Sequence, residues 1–101
     1  MDNLAFGKQL ALLERSIADH RLAMSHTSLL LAILRLNRNM ASKGTMTVSR
    51  RELMQFTKFR SIRTYHKCMR GLVECGYVKY YPSYHPVNGS LIIINDEALL
   101  E

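Results

Sequence analysis

Arg63, His66, Lys67 and Arg70 recur at i, i+3, i+4 and i+7, the spacing of one face of an α-helix. Two guanidinium groups, an ammonium and an imidazole in one line offer cationic hydrogen-bond donors. Such a set recognises negative charge and acceptor atoms. Tyr65, Cys68, Met69 and Leu72 recur at the same spacing, displaced by two positions. At about 100° per residue, that displacement puts the second stripe roughly opposite the first. The span 61–75 therefore reads as a helix with one face for burial and the other for anions.

Other elements must hold that helix in place. Ser49-Arg50-Arg51-Glu52 has the form of a capping box, so a short helix is expected over 50–57 with Leu53, Met54 and Phe56 inward. Lys58-Phe59-Arg60 follows as a turn, Ser61 caps the next helix, and Gly76 ends it in a left-handed conformation. Upstream, residues 4–19 carry Phe6, Leu10, Leu13 and Ile17 on one stripe. A second helix begins near Ser25 as N-cap, carries Leu29, Leu30, Ile33, Leu34, Leu36 and Met40, and stops at Lys43-Gly44. Thr45–Val48 alternates as a minor strand. Residues 77–81 and 91–94 read as two strands of a hairpin, joined by a loop that Pro82, Pro86 and Asn88-Gly89 bend.

Composition narrows the class. The 101 residues suffice for one domain with its own core. Lys and Arg outnumber Asp and Glu by 14 to 8. Between Ser49 and Ile94 the imbalance is eight to two, whereas the tail 96–101 is acidic. A basic excess concentrated around paired helices suits a polyanion partner, although surface lysines and arginines also serve solubility alone. No apolar run approaches the roughly 20 residues that cross a bilayer, and the N-terminus has no secretory pattern. A cytoplasmic protein without a membrane partner is expected. Cys68 and Cys75 lie about 10 Å apart along one helix, too far for a disulfide, and read as buried thiols. His20, His26, His66 and His85 are scattered, and no nucleophile motif, phosphate loop or metal spacing appears. An enzyme has little support in the sequence, and no cofactor or metal is expected.

The order helix, helix, short strand, helix, turn, helix and two-stranded wing resembles a winged helix-turn-helix domain. The residues that carry the likeness are 49–53, then 61–72, then Gly76-Tyr77-Val78, which is similar to that family's exit into its wing. The string 61–84 also resembles short regulators and excisionase-like proteins of bacterial mobile elements. The resemblance implies an α+β, mainly α fold, with a three-helix core and a two- or three-stranded wing sheet. Residues 25–95 would form that core, 1–20 an extra N-terminal helix, and 96–101 an acidic tail. In two places the chain departs from the family's habit. Lys58 or Arg60 stands where the turn commonly has Gly, and the wing tip carries no Arg or Lys.

What the resemblance implies for function is sequence-specific binding of double-stranded DNA, with helix 61–75 in the major groove. Arg63 would take guanine O6 and N7, Lys67 would read guanine more loosely, and His66 would meet a base edge. Ser61, Thr64 and Arg70 would suit phosphates, Arg50 and Arg51 would clamp the adjacent backbone, and Lys79 would stand at the base of the wing. Tyr84 and His85 remain open between groove contact and packing within the loop. A transcriptional regulator or an accessory factor of recombination or replication fits this reading. The alternative is a winged helix used for protein assembly, its basic face meeting an acidic partner. A homodimer is expected through Phe6, Leu10, Leu13 and Ile17, the other fate of that stripe being to fold back on its own domain.

Overall fold

Two serines set the positions of the central pair of helices in the computed structural model, which describes residues 3–37, 45–83 and 89–95. Of residues 3–6 only the backbone is described. The Phe6 side chain, Met40, Lys43, Gly44, Tyr84, His85, Pro86, Asn88 and the acidic tail lie outside the described residues. The elements are α1 (Asn3–Ala18), α2 (Met24–Asn37), β1 (Thr45–Val48), α3 (Arg50–Thr57), α4 (Ile62–Glu74), β2 (Val78–Tyr81) and β3 (Ser90–Ile94). The protein is α+β and mainly helical, with one three-stranded antiparallel sheet in the order β1-β3-β2.

At the start of α3 the expected capping box is complete. The Glu52 amide donates to Ser49 Oγ at 3.1 Å, and the Ser49 amide donates back to Glu52 Oε1 at 3.3 Å. Lys58 ends α3 in the left-handed region, at φ 62°, and its amide donates to the Met54 carbonyl at 2.9 Å. A side chain there costs about 1 kcal/mol relative to glycine, so the turn keeps its geometry without one. Ser61 then caps α4, accepting the Thr64 amide at 3.0 Å. At the far end, Gly76 donates to Val73 O and Tyr77 to Leu72 O, the paired bonds of a Schellman ending around a glycine at φ 82°. Both ends of α4 are thus fixed by residues adjacent to it in sequence.

The second helix corrects one expectation. It starts at Met24, so Ser25 lies within its first turn and does not cap it. The cap position falls on Ala23, which has no side-chain acceptor. His26 supplies one from three residues ahead: its Nδ1 accepts the Ala23 amide at 2.9 Å, the role Glu52 plays for Ser49. Its ring proton is thereby assigned to Nε2.

In the sheet, Met46, Val48, Val78, Ile92 and Ile94 alternate onto the face that meets the helices. There they join Leu12, Leu29, Leu30, Ile33, Leu53, Tyr65 and Leu72 in one core. Phe56 is not inward as expected. On the short α3 only Leu53 reaches full burial, and Phe56, half exposed, lies under the Arg35 guanidinium at 5.4 Å. Phe59, within the turn, packs against the core. Cys68 is buried as expected; Cys75, at the helix end, is only partly so. Among the described side chains of α1 the buried ones are Leu12 and Ser16, and Ser16 Oγ lies 3.1 Å from Thr27 Oγ1 of α2. Leu13 is half-buried, whereas Leu10 and Ile17 of the expected stripe face out.

The loop between α1 and α2 is tied to the other end of the chain. Asp19 accepts from Arg21 Nε at 2.9 Å and Nη2 at 2.7 Å, and from the Tyr77 hydroxyl at 3.0 Å. The arginine, above all, holds the Asp19 carboxyl well below the usual carboxylate range. Burial, then the bond to Asp19, pushes the Tyr77 hydroxyl up to about 12. A carboxyl more acidic in the fold than in the unfolded chain stabilises fully above the unfolded value, about 3.9 for aspartate. That contribution fades as pH falls toward the folded value. Urea melts from pH 7 down to pH 3 are therefore expected to show Asp19→Asn losing less stability than the parent over the acidic limb. Parallel curves for the two proteins would mean that the triad contributes nothing.

Candidate nucleic-acid interface

Side-chain direction on α4 follows from its two stripes. Tyr65, Cys68, Met69 and Leu72 are buried, and Arg63, His66, Lys67 and Arg70 are all exposed. The basic line spans seven residues, about 10 Å of helix. Arg50 and Arg51 are exposed in the first turn of α3, next to the start of α4. Among the described residues, none of these arginines nor Lys67 makes an ion pair or a side-chain hydrogen bond. Two carboxylates on neighbouring segments are engaged elsewhere. Glu52 belongs to the capping box, and Asp19 is held by Arg21 and Tyr77 beyond the C-terminal end of α4. Glu74, in the last turn, is the carboxylate that α4 itself carries.

Three of the expected contacts have other engagements or directions. Ser61 Oγ accepts the Thr64 amide and lies 2.9 Å from Thr64 Oγ1, so both hydroxyls serve the cap. The amides of Ile62 and Arg63, one turn short of any carbonyl partner, are the groups this helix start offers to an anion. Lys79 is exposed on β2, but Val78 and Tyr80 on either side turn toward the helices. Strand alternation therefore sends Lys79 to the opposite face of the sheet from α4. The structure brings Arg63, His66, Lys67 and Arg70 together along α4, with Arg50 and Arg51 at its start; Lys79 stands apart.

Two further residues join the surface without a signal in the sequence. Tyr80 lines a groove between α4 and β2 with His66, Arg70 and Glu74. Its hydroxyl accepts from Tyr65 at 3.4 Å and lies 3.2 Å from Ser90 Oγ, a chain that seats α4 on the sheet. Burial and that bond push the Tyr65 hydroxyl well above the ordinary tyrosine range, so it stays a neutral donor. Gln55 lies in a shallow depression with Arg50, Arg51, Phe59 and Ile62. Its position four residues after Arg51 marks it as a neighbour on that face only once α3 is known to be a helix. Ile62, half exposed, brings an apolar side chain into the same depression.

Taken together, the surface is a rigidly capped helix with a cationic, donor-rich outer face, flanked by two arginines, a primary amide and a tyrosine. Such an arrangement has the chemistry to meet an extended polyanion through several contacts at once. Among the described residues, no helix is long and apolar enough to cross a membrane. Comparison with protein-family models, curated proteins and solved structures gave no match to this chain.

Proposed function

We propose that this chain is a winged helix-turn-helix protein that binds double-stranded DNA with α4 in the major groove. One observation carries the reading: four cationic or donor side chains stand exposed in line on α4, and among the described residues its arginines and lysine have no carboxylate partner. A helix of this diameter enters a groove about 12 Å wide, and the residues nearest its N-terminus then lie closest to the bases. Arg63 takes a guanine edge in two hydrogen bonds, Lys67 and His66 read neighbouring edges, and Arg70 holds a phosphate. Arg50 and Arg51 clamp the backbone beside the groove, with the free amides of Ile62 and Arg63 adding to phosphate binding. A regulator of transcription, or an accessory factor of recombination or replication such as mobile elements carry, uses a module of this kind. Action as a homodimer, which brings two such modules to DNA, belongs to the same proposal.

The test is salt dependence. With about five phosphates neutralised, log K for a random duplex should fall against log[salt] with a slope of about −4 to −5. Duplex should also be preferred over a single strand of equal length. A slope near zero, or binding only to an acidic protein, would make the basic face an assembly surface instead.

A further inference from the structure

Eight large apolar side chains are exposed among the described residues, and five of them share one face on the side of the molecule away from α4: Leu10 (44%), Ile17 (60%), Met24 (66%), Leu31 (54%) and Phe56 (46%). Their arrangement follows from the α1–α2 hairpin. Leu10 and Leu31 line one groove of about 350 Å³ together with Leu13, Arg35 and Phe56. Seven residues along α1 and seven back along α2, about 10 Å each, lead to Ile17 and Met24. On α2 the positions 24, 28, 31 and 35 form a single outward stripe.

Two charges complete the face. Glu14 lies one turn from Leu10 toward Ile17, and Arg35 lies one turn from Leu31 in the opposite direction; both are exposed. A two-fold axis through the Leu10–Leu31 level would bring Glu14 of each copy opposite Arg35 of the other. It would also set Phe56 of each copy against Ile17 and Met24 of the other. A surface that is complementary to itself in this way, in shape and in charge, fits an isologous contact.

We propose that a second copy of this chain docks on this face, back to back, and that the resulting dimer bridges two DNA segments. The bridging half rests on the DNA reading above; the docking half does not. Direction follows from α2. His26 packs its ring edge against Gly71 of α4, and Ser28 on the apolar stripe is about 200° further round the helix. The apolar face therefore looks away from α4, whose basic face lies opposite the stripe that α4 buries in the core it shares with α2. A two-fold axis lying in such an interface reverses the outward direction, so the two basic helices point to opposite sides. They cannot sit in successive turns of one straight duplex, as a palindrome reader requires.

Mass and bridging test the two halves separately. Sedimentation equilibrium should give twice the 11.6 kDa of one chain, and Leu31→Lys should give one chain. Glu14→Arg or Arg35→Glu alone should weaken self-association on the order of tenfold, and the two together should restore it, which a merely structural role would not do. A single-chain mass for the parent at millimolar concentration, or failure of the exchange to rescue, overturns the interface. In the second arm, the parent should let a bead-bound duplex capture a labelled one, and Leu31→Lys should bind each duplex but capture nothing. A dimer that fills one duplex and never captures another overturns the back-to-back geometry. Absence of duplex binding by both proteins rejects the DNA reading, and the bridging with it, while the masses still decide the interface.

Discussion

Replacing Arg63, Lys67 and Arg70 together by alanine should lower affinity for the preferred duplex on the order of 1,000-fold, at about 1.4 kcal/mol per contact. The fold should hardly notice. All three side chains are exposed and, among the described residues, without ion pairs, and surface substitutions of that kind stay within about 0.5 kcal/mol each. The single substitutions separate the roles. Arg63→Ala should cost about 1–3 kcal/mol on the preferred site and flatten the preference at one base position. Arg70→Ala should weaken every duplex alike and reduce the salt slope by about 1. Anisotropy titrations against a randomised site library at two salt concentrations read all three quantities. Equal, sequence-independent losses at both arginines would leave α4 a phosphate clamp that reads no base.

The parts of this surface legible in the sequence are those set by residues close together in the chain. The Ser49–Glu52 box, the Ser61 cap, the Gly76 ending and the two faces of α4 each depend on neighbours within four or five positions, and each is present as expected. What escaped depends on contacts made across the fold. On α1, hydropathy favours Ile17 over Ser16 for burial, yet Ser16 is the buried one. Its hydroxyl donates to the Leu13 carbonyl at 2.7 Å and meets Thr27, so the polar atom enters the core satisfied. Ser25 had the right side chain for a cap, but the cap falls two residues earlier, on Ala23, whose amide His26 accepts. Tyr80 and Gln55 became part of the site only when packing placed β2 and α3 beside α4. Lys79 shows the reverse: alternation along β2 separates it from α4, a fact that depends on knowing which face of the strand meets the helices.

Gly71→Ala should destabilise the protein by up to about 2 kcal/mol, an overpacking cost of about 1–3 kcal/mol offset by the ~1 kcal/mol that helix propensity gives. In an open helix, alanine for glycine gains about 1 kcal/mol. Gly71 is not open. A Cβ there would meet Cδ2 and Nε2 of His26, both at 2.5 Å, with Leu22 at ordinary contact distance behind them. The ring cannot simply swing aside, because its Nδ1 holds the Ala23 amide at the start of α2. Either α4 moves away from α2, or the cap is given up for about 1 kcal/mol. The first response would also shift the basic face relative to Arg50 and Arg51, so duplex affinity should fall with stability. Gly7 provides the comparison: it is helical, and nothing lies within 4 Å of its would-be Cβ, so Gly7→Ala should stabilise by about 0.5–1 kcal/mol. In thermal melts the two substitutions should therefore move Tm in opposite directions, by about 4–8 °C per kcal/mol in a domain of this size. His26→Ala supplies the decisive arm. With the ring gone, Gly71→Ala has nothing to strike and should recover the propensity gain. A cycle of the four proteins should thus show a coupling of at least about 1 kcal/mol. If Gly71→Ala stabilises as Gly7→Ala does, α2 and α4 are not held together through this contact, and the direction assigned to the basic face loses its anchor.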